Sequence, residues 1–110
     1  MPIDPTGFVV ARAGEDGSIG SRRHINLPGA DIDLPSVTAK DWEDIAFGIE
    51  QGMDSVALSF IRTAEEVAEV KAFLKDKGSD MQVIAKIETQ RSIDNLDAII
   101  DASDGIMIAR

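Results

Sequence analysis

From Thr38 onward the sequence alternates helical and strand patterns at nearly even spacing, and this alternation restricts the possible folds more than any other feature of the chain. Thr38 with Asp41 reads as a helix start, and Trp42, Ile45 and Ile49 recur at helical spacing until Gly52, which predicts a helix over about 39–51. Asp54 to Phe60 predicts an apolar strand. Thr63 and Glu66 form a second capping box, Val67, Val70, Phe73 and Leu74 share one helical face, and Gly78 ends that helix. Gln82 to Glu88 predicts a second, buried strand. Ile93, Leu96, Ile99 and Ile100 then mark a third helix, and Gly105 to Ala109 a third strand. Strands separated by single helices are the pattern of parallel βαβ units, so the expected class is α/β. Right-handed crossovers would bring Ser59 to Arg62, Lys86 to Glu88, and Arg110 to one rim at the C-terminal strand ends.

The first third reads differently. Residues 1–7, with Pro2, Pro5 and Gly7, lack periodicity and form a loose lead-in. Phe8 to Ala11 and Ser18 to Ile25, joined by a turn at Gly14 to Gly17, predict a β-hairpin too short to bury a core. Pro28 and Pro35 then interrupt regular structure, which puts a junction at 26–36. The expected organisation is therefore 1–25, the junction at 26–36, and the helix–strand alternation over 37–110.

Net charge narrows the partners. Twenty acidic against eleven basic residues leave −9, with pI near 4.4, which disfavours nucleic acid and anionic membranes. Small phosphorylated ligands remain compatible, because Arg22, Arg23, Arg62, Lys86 and Arg110 fall at segment ends. The absence of cysteine excludes disulfides and thiolate metal sites, and no apolar run is long enough for a membrane span, so a soluble intracellular protein is expected. His24 is the single histidine, which argues against a histidine metal site or a histidine-dependent triad. No Gly-x-Gly-x-x-Gly or P-loop pattern occurs.

Chemistry concentrates in Gln82 to Thr89. Lys86 and Glu88 interrupt an apolar strand and, two residues apart, point to the same side near its C-terminal end. A lysine withdrawn from water requires a carboxylate or an anionic ligand, and ligands of parallel α/β proteins gather at such strand ends. A lysine that snorkels to solvent and a carboxylate that merely pairs with it remain the alternative.

Several spaced motifs occur in one order: Asn26-Leu27-Pro28-Gly29, Leu34-Pro35, Phe47 to Gly52, Ser59-Phe60-Ile61-Arg62, Lys86-Ile87-Glu88 and Ala102 to Arg110. Over residues 18–110 the chain resembles pyruvate kinase. The resemblance implies the end of a small β-barrel lid domain over 1–25, followed over 37–110 by part of a parallel (β/α)8 TIM barrel. It implies phosphoryl transfer from phosphoenolpyruvate to ADP, giving pyruvate and ATP. Lys86 would be the catalytic and substrate-binding lysine and Glu88 a ligand of Mg2+ or Mn2+. Arg23, where the family usually has a lysine, would contact the nucleotide. K+ would bind to residues outside this chain. In the family Ala-Arg is followed by Gly-Asp-Leu-Gly, whose aspartate is a second metal ligand, so a chain ending at Arg110 is expected to be inactive alone. A homo-oligomer, by resemblance a tetramer, and a cytoplasmic location are implied, with a plastid as the alternative suggested by Ser21-Arg22-Arg23-His24. The competing readings are a pyruvate-handling aldolase or lyase barrel, with Lys86 as a Schiff base or Glu88 holding the metal, and an inactive folding or assembly piece.

Overall fold

The computed structural model describes residues 5–23, 25 and 35–109. His24, Asn26 to Leu34 and Arg110 lie outside the described residues, and with them most of the expected junction and one member of the expected rim.

Helix α1, Ala39–Glu50, begins where the sequence predicts. Thr38 Oγ1 accepts the Asp41 N–H at 3.2 Å, and Asp41 Oδ2 accepts the Thr38 N–H at 2.9 Å, which satisfies two of the donors a helix start leaves orphaned. It ends at Gly52, whose φ of +71° is open to glycine without penalty; Gly52 and Met53 donate back to Ile49 and Gly48. Helix α2, Ala64–Asp76, stops the same way. Gly78, at φ +70°, donates to Lys75 and Ser79 donates to Leu74.

Three strands follow the alternation: β1 Ser55–Leu58, β2 Gln82–Ile87 and β3 Gly105–Ile108. They form one parallel sheet in the order β1-β2-β3, with Ser55 opposite Gln82 and Ile84 opposite Gly105. The expected third helix is two pieces, α3 Gln90–Asp94 and α4 Leu96–Ala102, separated at Asn95. Asn95 sits at φ −105° and ψ 17°, and its side-chain amide donates to the Arg62 carbonyl at 2.9 Å, so a tertiary hydrogen bond interrupts the helix.

The core lies on one face of the sheet. Val83, Ala85 and Ile87 of β2 and Leu58 of β1 cluster with Val67, Val70 and Leu74 of α2 and Ile99 of α4. Ile45 of α1 joins this cluster, and Trp42 meets Phe73 of α2 with ring centroids 5.0 Å apart. The stripes predicted for α1 and α2 are thus core faces, whereas of the third only Ile99 is buried and Leu96 packs against the core, with Ile93 and Ile100 exposed. Strand β2 departs from expectation in being buried on that face only. Gln82 is exposed and Ile84 and Lys86 are half-buried, because no helix among the described residues covers their side.

The expected hairpin does not form among the described residues. Residues 5–23 carry an isolated bridge at Val9 and no strand, and Phe8, Val9, Val10, Ile19 and Ile25 are all exposed. Two short strands without a third, or a helix to pack on, have too little buried apolar surface to hold a ladder.

Candidate functional site

The parallel register carries the ends of β1 and β2 to one edge, where Ser59, Phe60 and Glu88 leave the sheet side by side. Lys86, the last residue of β2 that alternates onto the open face, extends its ammonium to 3.5 Å from Glu88 Oε1 and 3.3 Å from Ser59 Oγ. Its side chain is 26% exposed and that of Glu88 13%. The lysine is therefore held within the site instead of reaching into water, and a pair this sheltered is weakly screened by salt.

Glu88 has a second tether. Its Oε2 accepts the Phe60 N–H at 2.8 Å. Phe60 has φ +54°, a left-handed conformation that costs a residue bearing a Cβ on the order of 1–2 kcal/mol. Its carbonyl in turn accepts the Ser36 hydroxyl at 2.9 Å. No sequence signal announces this arrangement, since a backbone N–H and a left-handed phenylalanine leave no motif.

The loop that follows is fastened at several further points. Glu66 Oε1 accepts the N–H groups of Arg62 at 3.0 Å and Thr63 at 2.9 Å, the reach-back expected of a capping box. Burial pushes the Glu66 carboxyl up, but the Ser36 hydroxyl, the two backbone donors and the Arg62 charge outweigh it and leave it below its ordinary value. Arg62 Nη2 lies 3.8 Å from Glu66 Oε2, and among the described residues no ion pair connects it to Glu88. Asp104 also lies elsewhere: it serves the opposite end of the sheet, where Oδ2 accepts the Val83 N–H and Oδ1 meets Lys71.

Arg23 is exposed, and among the described residues no hydrogen bond or ion pair connects it to Lys86 or Glu88. Nor do three or more histidine, cysteine, aspartate or glutamate side chains converge as a metal cluster among those residues. The donor type at Glu88 nevertheless fits a hard cation. Magnesium binds carboxylate oxygen, commonly through one or two carboxylates, and fills its remaining positions with water and phosphate. A separate groove between α1 and β1, touching Ser36 and Ser59, contains neither Lys86 nor Glu88. No helix among the described residues is long and apolar enough to cross a membrane.

Fold and site together define an α/β protein whose parallel strands present a lysine–carboxylate pair at their carboxyl ends. A family model described as "Pyruvate kinase, barrel domain" matches residues 2–110. The chain is 53% identical over 93 residues to a pyruvate kinase of Leishmania mexicana, covering 84% of this chain and 19% of that protein. It is 46% identical over 104 residues to a pyruvate kinase of Dictyostelium discoideum, covering 94% and 20%. It is 51% identical over 96 residues to plastidial pyruvate kinase 2 of Arabidopsis thaliana, covering 87% and 17%. The chain belongs to the pyruvate kinase family, and it spans about a fifth of the length of these relatives.

Proposed function

We propose that this chain is the part of a pyruvate kinase that contributes Lys86 and Glu88 to phosphoryl transfer from phosphoenolpyruvate to ADP. The observation that carries the reading is the sheltered ammonium of Lys86, held between Ser59 and Glu88 at the carboxyl ends of parallel strands. In the reaction the phosphoryl group leaves the enol oxygen for a terminal oxygen of ADP, and the methylene carbon of the enolate left behind takes a proton to give pyruvate. Negative charge on the phosphoryl oxygens is the quantity to be stabilised, and a fixed ammonium in a sheltered site does this without reorganising at the moment of transfer. Lys86 supplies that donor. Glu88 orients Lys86 through Oε1 and would hold Mg2+ or Mn2+ there, together with ligands from elsewhere in the protein. Such a cation, when bound, neutralises phosphoryl charge that one lysine cannot.

The same reading extends to the rest of the molecule. Residues 37–110 form part of a (β/α)8 barrel and 1–25 the end of a lid domain, from which Arg23 reaches the nucleotide. K+ binds through residues outside this chain, the intact enzyme is a homo-oligomer, and its compartment is the cytoplasm or, as the Arabidopsis likeness suggests, a plastid. The 110 residues alone are inactive.

Replacement of Lys86 tests the reading. In the full-length protein, Lys86→Met is expected to slow phosphoryl transfer by about two orders of magnitude or more, the effect of deleting one preorganised donor, while the thermal midpoint stays near the parent's. Equal turnover by variant and parent would remove the assignment.

A further inference from the structure

A strained residue persists only where its surroundings over-determine it, and Phe60 is such a residue. Phe60 is 45% exposed, so core packing does not explain the conformation. Two hydrogen bonds do: the N–H donates to Glu88 Oε2 at 2.8 Å, and the carbonyl accepts from the Ser36 hydroxyl at 2.9 Å. The flanks of this peptide are also tied, Ser59 Oγ to Lys86 on one side and the Arg62 backbone to Glu66 and Asn95 on the other. Without the Ser36 bond, Phe60 could relax toward negative φ and turn its N–H away from Glu88.

We propose that Ser36 is a positioning residue for the Lys86–Glu88 site. By holding the Phe60 carbonyl it keeps the Phe60 N–H on Glu88 Oε2, which fixes the rotation of the carboxylate and leaves Oε1 facing Lys86 and an incoming cation. The Ser36 hydroxyl has one proton and two nearby acceptors, the Phe60 carbonyl and the Glu66 carboxylate.

The inference rests on the reading of Glu88 as a cation ligand, and one experiment separates the two. In the full-length protein, Mn2+ binding is followed by the loss of the free-ion electron paramagnetic resonance signal, alongside the KM for magnesium. Glu88→Gln is expected to abolish or severely weaken Mn2+ binding. Ser36→Ala is expected to raise the Mn2+ Kd and the magnesium KM together by about fivefold, the net worth of one hydrogen bond and less than the loss of a direct partner of a metal ligand. The change in kcat is expected to be smaller than that in KM. Ser36→Thr, which keeps the hydroxyl, recovers most of the loss. Ser36→Cys, near in size with a weaker donor, moves in the same direction as alanine and serves if the alanine variant does not fold. In a Phe60→Gly background the penalty of Ser36→Ala shrinks, because glycine occupies positive φ unaided.

Parent-like Mn2+ binding by Ser36→Ala, with binding lost in Glu88→Gln, would refute the positioning role and leave the reading of Glu88 intact. Parent-like binding by Glu88→Gln would overturn both. An undiminished penalty in the Phe60→Gly background would make Ser36 a general stabiliser and also overturn the proposal.

Discussion

At the scale of single residues, two carboxylates do opposite jobs at the two ends of β2. Glu88 is bound at its C-terminal end to a lysine and a strained peptide, an arrangement suited to a ligand. Asp104 at the other end is a staple: its N–H donates to the Val83 carbonyl at 2.9 Å, its Oδ2 accepts the Val83 N–H at 2.8 Å, and its Oδ1 lies 3.2 Å from Lys71 Nζ. The Val83 N–H first, and Lys71 second, hold the Asp104 carboxyl below its ordinary value. A carboxyl depressed in the folded state contributes stability that is complete above its unfolded pKa of about 4 and is lost as pH falls through the lower folded value. Asp104→Ala in the full-length protein is therefore expected to lower stability by about 1 kcal/mol at neutral pH, the typical net loss of one such hydrogen bond. The difference should close as the pH drops below about 4. Thermal midpoints of variant and parent across that range check it, and a gap that widens in acid would contradict the assignment.

At the scale of elements, the helices and strands were legible because their signals are local. Thr38 with Asp41, Thr63 with Glu66, and the glycines at 52 and 78 each sit within a few residues of the end they define. That Lys86 and Glu88 share a side was legible for a similar reason, since two charges spaced by one residue along an extended apolar run alternate to the same face. The break at Asn95 was not, because it depends on Arg62, 33 positions away, and the Ser36–Phe60 bond spans 24. No hairpin forms among the described residues for the converse reason: alternation and a turn are present locally, while the third strand that such a ribbon needs is not among those residues. Gly78 gives the clearest test at this scale. Its φ of +70° lies where a Cβ is strained although nothing within 4 Å would touch it, so Gly78→Ala is expected to destabilise by about 1 kcal/mol through the backbone alone. Chemical denaturation of the full-length variant should show a lower midpoint with an unchanged slope. An unaltered midpoint would mean that α2 ends independently of its left-handed cap.

At the scale of the whole molecule, the sheet is half-covered. Helices α2 and α4 shelter one face, whereas Gln82 and the half-buried Ile84 and Lys86 look out from the other. In the order β1-β2-β3 both outer strands have one unpaired edge among the described residues, and β3 exposes Ile106, Met107 and Ile108. Phe8, Val9, Val10, Ile19 and Ile25 add apolar surface ahead of α1. The radius of gyration, 17.2 Å, exceeds the roughly 13 Å of a compact domain this long. Exposed edges and apolar patches are templates for association, and nothing blunts β3 with a proline or a bulge. A net charge of −9 opposes association through mutual repulsion, but salt at physiological strength screens that repulsion beyond about 8 Å while leaving short-range apolar contact intact. The 110-residue chain by itself is therefore expected to self-associate at micromolar concentration, more strongly as salt is raised. Sedimentation equilibrium at low and physiological ionic strength measures this: an average mass that climbs with concentration and salt is the expected result. A monomer that also unfolds in one sharp calorimetric transition, above the roughly 45–65 °C usual for mesophilic domains, would show that the open face and edges are no liability to this chain.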